Sequence, residues 1–217
     1  MSAFLDKIIE RAKTDKKTIV LAEGEELRTV KAADMVLKQG IANVILLGNE
    51  EKINSLADGL DISAAKIIDP EKSEYFEEFA NDFYEMRKAK GMTPEKARET
   101  MKSVLYFGVM MVKKNLADGM VAGAVNSTSN VLRPSLQILK TAPGTKLVSA
   151  FFVMVVPDCE YGANGTFIYS DAGLVENPNA DELSEIAISS SKSFNTLVQE
   201  EPIIAMLSYS TYGSAKS

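Results

Sequence analysis

Short apolar runs alternate along this chain with longer stretches in which apolar residues recur every third or fourth position. Over "FLDKIIERA" the residues Phe4, Leu5, Ile8, Ile9 and Ala12 share one face, which predicts an amphipathic helix. "TIVLA", Thr18 to Ala22, reads as a buried strand, and "LRTVKAADMVLKQG" as a helix stopped by Gly40. "NVILLG" predicts the next strand, "EEKINSLADGL" a helix, and "AKIIDP" a short strand closed by proline. A helix-rich stretch follows: "SEYFEEFANDFYEMRKAKG", "TPEKARETM" and "SVLYFGVMMVKKNLADG". Within it Thr93-Pro94 pairs a cap with proline at the first helical position, and Glu95 follows in the first turn.

The strand "GMVAGA" then leads into "VNSTSNVLRPSLQILKTAPG". Beyond Gly144 the pattern predicts a long buried strand, "KLVSAFFVMVVP", and a second, "GTFIYSDAG". A helix, "ADELSEIAISSSKSFNTLV", and a third strand, "PIIAMLSYS", complete the pattern. Strand–helix alternation with apolar strands implies an α/β fold with a largely parallel sheet. Thr141-Ala-Pro-Gly144 is the expected crossing between a first domain, 1–144, and a second, 145–217. The last strand is followed by a loop and no covering helix, so the chain is expected to be part of a longer protein, its second domain truncated.

Composition narrows the function classes. With 217 residues, 46% hydrophobic and 25% charged, the chain has the balance of an ordinary globular protein. The net charge of −6 argues against a nucleic acid or an anionic membrane as main partner, while leaving room for a local basic pocket. The most apolar run, Leu147 to Pro157, is too short to span a bilayer. The charged, amphipathic N-terminus is not a signal region. A single cysteine, Cys159, fits a reducing cytoplasm. There is no histidine, which removes the usual general base and zinc ligand, so no metal is expected. Glu23 and Glu25, after the first strand, read as solvated loop carboxylates.

The chemistry concentrates between Gly119 and Gly144. Small residues at a strand end admit a ligand to the backbone, and ligands in open α/β sheets lie beyond the carboxyl ends of strands. Ser127, Thr128 and Ser129 fall there, ahead of a helix marked by Leu132, Leu136 and Leu139. Pro134 either opens that helix or kinks one begun near Asn130, and Arg133 stands in or beside the first turn. Free amides, hydroxyls and a guanidinium suit a phosphate. The same pattern fits a surface arginine paired with a carboxylate and serines that merely cap.

"NSTSNVLRPSLQILKTAPG" resembles the phosphate acetyltransferase family. "VLAEGEELRTVKAA", "IANVILLGNEEKI" and "YSDAGLVENPNADELSEIA" resemble other segments of it. The resemblance implies two α/β/α domains of the isocitrate/isopropylmalate dehydrogenase-like type, with the site in the cleft between them, and a homodimer. It implies reversible acetyl transfer between acetyl phosphate and coenzyme A by direct thiolate attack in a ternary complex, with no cofactor and coenzyme A as a substrate. Inorganic phosphate is the product on the other side. By the same resemblance Arg133, Ser127 and Thr128 are catalytic, Arg133 binding the phosphoryl group and stabilising the departing phosphate and the two hydroxyls acting as phosphate or carbonyl donors, and Arg87 is a further substrate-binding arginine at the cleft. Cys159 and Asp171 are expected on the substrate side, Cys159 near the site and not essential, Asp171 orienting a lysine or a backbone amide or else capping a turn. The general base and most of the coenzyme A site belong to a region beyond Ser217, so the chain is expected to be inactive alone. Alternatives are a phosphate butyryltransferase and a non-catalytic module that senses acetyl-coenzyme A.

Overall fold

Four strands, β1 (Lys17–Leu21), β2 (Ala42–Leu47), β3 (Lys66–Ile68) and β4 (Gly119–Val121), form a parallel sheet in the order β3-β2-β1-β4. The register pairs Lys17 with Ala42, Ile45 with Lys66, and Ile19 with Gly119. The computed structural model describes residues 3–208 and 210–214. Those residues divide into two units, Ile9–Lys140 and a second that joins the first residues, up to Ile8, to the stretch from Thr141 onward.

In the unit of residues 9–140 β1 and β2 become apolar and buried toward their carboxyl ends, because both faces of the sheet are covered there. Val20, Ile45, Leu47 and Ile68 face α4 (Phe76–Arg87), α5 (Pro94–Met101) and α6 (Val104–Lys113), where they pack with Phe79, Phe83, Phe107, Met110 and Met111. Leu21, Val44 and Leu46 point the other way, onto Val30 and Ala33 of α2 (Leu27–Gln39) and Ile53 of α3 (Glu50–Leu56). Neighbouring residues of a strand feed opposite cores, as the two-residue pleat requires. Helix α6 is apolar on nearly every side, and Gly108 lets it press on the sheet: a Cβ there would meet Met120 Sδ at 2.7 Å.

The local signals hold. Gly40 ends α2 in the left-handed region at φ 67°, and its amide donates to the Leu37 and Val36 carbonyls. The Thr93 side chain accepts from Lys96 N ahead of Pro94. Helix α7 (Thr128–Ile138) begins at Thr128, so Pro134 lies inside it and Arg133 stands in its second turn rather than its first. Without an amide proton Pro134 leaves the Asn130 carbonyl without its usual helical donor.

Helix α1 (Ala3–Thr14) crosses the division between the units. The unit from Thr141 onward holds β5 (Phe151–Val155) and β6 (Thr166–Ser170), paired antiparallel, and α8 (Ala180–Val198), which packs on β6. Asn179 and Glu182 close a capping box at the start of α8. Two expectations fail here. The long buried strand shrinks to five residues, and Phe152 is 60% exposed, because among the described residues β6 is the only strand paired with β5. Residues 202–208, expected as a strand, pair with no strand among the described residues, and Ile203 and Leu207 are almost fully exposed. Tyr209, in the same expected strand, lies outside the described residues.

Candidate functional site

The expected phosphate stretch begins where β4 ends, beside the end of β1. Ser127 is the N-cap of α7, and its Oγ accepts from Asn130 N at 3.4 Å and lies 3.0 Å from Ser129 Oγ. Thr128 and Ser129 are the first two residues of the helix. Among the described residues their amides meet no acceptor, so two donors at the positive end of α7 point outward. Helical periodicity stacks Ser129, Arg133 and Gln137 on one face and turns Thr128 away from it. Ser129 thus joins the arginine more directly than Thr128 does.

Arg133 and Gln137 face a tyrosine that pattern reading passed over. Tyr106, on α6, donates its hydroxyl to Gln137 Oε1 at 3.2 Å. Its ring stands edge-on to Phe83, centroids 5.4 Å apart. Phe83 lies one turn before Arg87 on α4, so one helix carries both the ring contact and Arg87. Burial raises the Tyr106 pKa above its ordinary value, while the charges of Arg133 and Arg87 both act to lower it. Helices α4, α6 and α7 thus bring Arg87, Arg133 and Gln137 near Tyr106, so that two cations act on one phenol.

Neither guanidinium has an acidic partner among the described residues. Arg28 pairs with Glu26 at 2.6 Å and Arg98 with Glu77, whereas Arg87 Nε is buried and lacks any hydrogen-bond partner. Arg133 is exposed. The position of Arg87 as the last residue of α4 suits a cation by the helix dipole alone, but that effect does not account for a desolvated, unpaired Nε.

The amides ahead of α7 are not free. Glu23, only 6% exposed, turns its carboxylate into the loop after β4. Oε2 accepts from Gly123 N at 2.8 Å and Ala124 N at 2.6 Å. Oε1 accepts from Val125 N at 3.0 Å, Asn126 N at 2.8 Å and Asn126 Nδ2 at 2.9 Å. Burial pushes the Glu23 pKa up, but the donors of Asn126, Val125 and Ala124 together outweigh it and bring it down to about 2. The reading of Glu23 as a solvated loop carboxylate is thus corrected: a nest of successive amides binds an anion, and here the anion is the protein's own. Glu25 is the more exposed of the two and pairs with Lys52 at 2.9 Å.

Cys159 and Asp171 lie in the unit from Thr141 onward. Cys159 is half-buried in the turn between β5 and β6, its Sγ 4.0 Å from the Tyr161 carbonyl. Asp171 follows β6, and both its oxygens are taken by backbone: Oδ2 by Ala150 N at 2.9 Å, Oδ1 by Gly173 N, Leu174 N and Val175 N at 2.7, 2.6 and 3.2 Å. Burial raises its pKa and these amides lower it further, for a net fall. Among the described residues no cluster of three or more His, Cys, Asp or Glu is placed to hold a metal, and no helix is long and apolar enough to cross a membrane.

Known proteins resemble the chain closely. A phosphate acetyltransferase of Acetivibrio thermocellus is 68% identical over 99% of this chain and 65% of that protein. One of Clostridium acetobutylicum is 51% identical over 98% of this chain and 64% of its own length. The chain therefore spans about two thirds of the length of these relatives. Among solved structures, a EutD phosphotransacetylase from Staphylococcus aureus superposes with a TM-score of 0.85 at 38% identity, and a phosphotransacetylase from Streptococcus pyogenes with 0.87 at 36%. Each is covered over 65% of its chain and covers all of this one. The family model described as phosphate acetyl/butaryl transferase matches residues 3–217, and on that extent and those identities the chain belongs to that family.

Proposed function

We propose that this chain carries the acetyl-phosphate side of a phosphate acetyltransferase. The observation that supports it is the pair of guanidiniums, Arg87 and Arg133, that have no acidic partner among the described residues and whose charges both act on the Tyr106 hydroxyl. The phosphoryl group of acetyl phosphate rests against Arg133, with the Thr128 and Ser129 amides and the Ser127 and Ser129 hydroxyls as further donors and Arg87 as a second cation near Tyr106. The acetyl group is then transferred to coenzyme A by thiolate attack on its carbonyl. The C–S bond forms, the C–O bond to phosphate breaks, and the electron pair leaves with inorganic phosphate. The growing negative charge on that phosphate is what fixed cations and amides stabilise in a site where they need not reorganise. Cys159 is not needed for this route, and Asp171 shapes a turn. The assembly implied by the family resemblance is a cytoplasmic homodimer without a cofactor.

Acetyl rather than butyryl transfer is favoured by the names of the relatives at 68%, 57% and 51% identity, all phosphate acetyltransferases. Two uncompensated arginines favour a substrate site over a module that only senses acetyl-coenzyme A. Phosphate binding is the readout that these residues themselves determine. Titration of inorganic phosphate into the chain by calorimetry should show saturable binding, weakened at least about tenfold, some 1.4 kcal/mol, in Arg133→Ala and in Arg87→Ala. No binding by wild type, or unchanged affinity in Arg133→Ala, would refute the reading.

A further inference from the structure

An anion site usually keeps its backbone amides open for the ligand, and here four successive ones are closed. Glu23 takes the amides of Gly123, Ala124, Val125 and Asn126 in two pairs, one pair per carboxylate oxygen. The loop they belong to runs directly into Ser127, the N-cap of α7. Gly123 sits at φ 115°, a conformation L side chains rarely adopt, so the loop is wound tightly enough for consecutive N–H groups to converge. A second tie holds the same loop, since Arg28 Nη2 donates to the Ala124 carbonyl at 2.6 Å. Glu23 itself is fixed two residues beyond β1, the neighbour of β4, and the adjoining Gly24 is pressed on the backbone, where a Cβ would meet the Leu47 carbonyl oxygen at 2.6 Å. Both ends of the contact are therefore set by the sheet.

We propose that Glu23 is a positioning residue of the phosphate site: its carboxylate fills the amide nest of the β4–α7 loop, excludes the substrate phosphate from it, and fixes the cap from which α7 presents Ser129 and Arg133. The proposal rests on the reading of Arg133 as a phosphate ligand. Two consequences separate it from a purely structural contact. A second anion cannot share four amides already held at 2.6–3.0 Å by a carboxylate, so phosphate is directed one step along the chain, to the free amides of Thr128 and Ser129. And the nest, once emptied, is a receptor for any small carboxylate.

The test uses 1H–15N spectra and phosphate titration on the whole chain. In wild type, inorganic phosphate should move the Thr128 and Ser129 amide signals and leave those of Gly123 to Asn126 nearly still; the opposite pattern would overturn the proposal without folding being at issue. Glu23→Ala should bind phosphate at least about tenfold more weakly, and millimolar formate should restore part of that loss by occupying the vacated amides, which relief of general instability does not predict. Glu23→Asp, which keeps the charge but falls short by one methylene, should lie between the two. Wild-type affinity in Glu23→Ala, or no effect of formate on it, overturns the role of Glu23 while the phosphate reading stands. No phosphate binding by wild type, or none lost in Arg133→Ala, sinks the phosphate reading instead.

Discussion

Glu23→Gln isolates one carboxylate in the folding equilibrium of the unit of residues 9–140. Its pKa lies at about 2 in the folded chain against an ordinary value of 4.5. At about 1.4 kcal/mol for each pH unit, that difference makes the ionised group worth about 3 kcal/mol of stability at neutral pH. The sign follows from the direction of the change. A carboxylate whose pKa falls on folding contributes its full amount above its unfolded pKa, and the contribution drains away as pH drops from about 5 towards 2. Glutamine keeps the size of the side chain but carries no charge at any pH, and it sets an NH2 among donors.

The assay is hydrogen exchange of the buried β1 and β2 amides, whose opening reports the stability of this unit without depending on the other. The quantity to follow is the wild-type minus variant difference, because it cancels every other titrating group. It should be flat above about pH 5.5, near 3 kcal/mol, and should shrink steadily below about pH 4.5. A difference that is the same at pH 7 and pH 3 would refute the argument that ionised Glu23 is the internal ligand of the nest. So would a variant as stable as wild type at neutral pH.

Arg133→Ala should move the ionisation of Tyr106 to higher pH, since one of the two charges that favour the phenolate is gone; absorbance near 295 nm, referenced to Tyr106→Phe, reads it. Gly108→Ala should cost about 1–3 kcal/mol, because the added methyl meets Met120, Leu47 and Val20 in a packed core, and denaturant unfolding measures it. Asn179→Ala removes one arm of the capping box and should lower the stability of α8 by about 1 kcal/mol, seen as faster amide exchange in its first turn.

Where a feature depends on neighbours along the chain, the residues announced it. The stop at Gly40, the cap at Thr93 ahead of Pro94, and the strands buried on two faces are all set within a few residues of one another, and the structure follows them. The cap at Ser127 was equally legible, but the start of its helix was not, because Pro134 suggested a later one. A proline inside a helix is tolerated when tertiary packing holds both sides, and Pro134 and Ile138 are buried. "KLVSAFFVMVVP" shows the opposite limit: an apolar run states that a strand wants covering, and says nothing about what covers it.

The sequence by itself determined the elements of the unit of residues 9–140, the parallel character of its sheet, and the presence of hydroxyls and an arginine at one helix start. Only the tertiary structure decided what those groups meet. Glu23 reaches amides about a hundred residues away because the sheet order sets β1 beside β4. Arg87, Tyr106 and Arg133 gather because α4, α6 and α7 converge. Hydrophobic periodicity records which face of an element is buried, but not which element lies opposite, and it is the opposite element that turned a supposed solvated carboxylate into an internal ligand and set a half-buried tyrosine within the charge of two arginines.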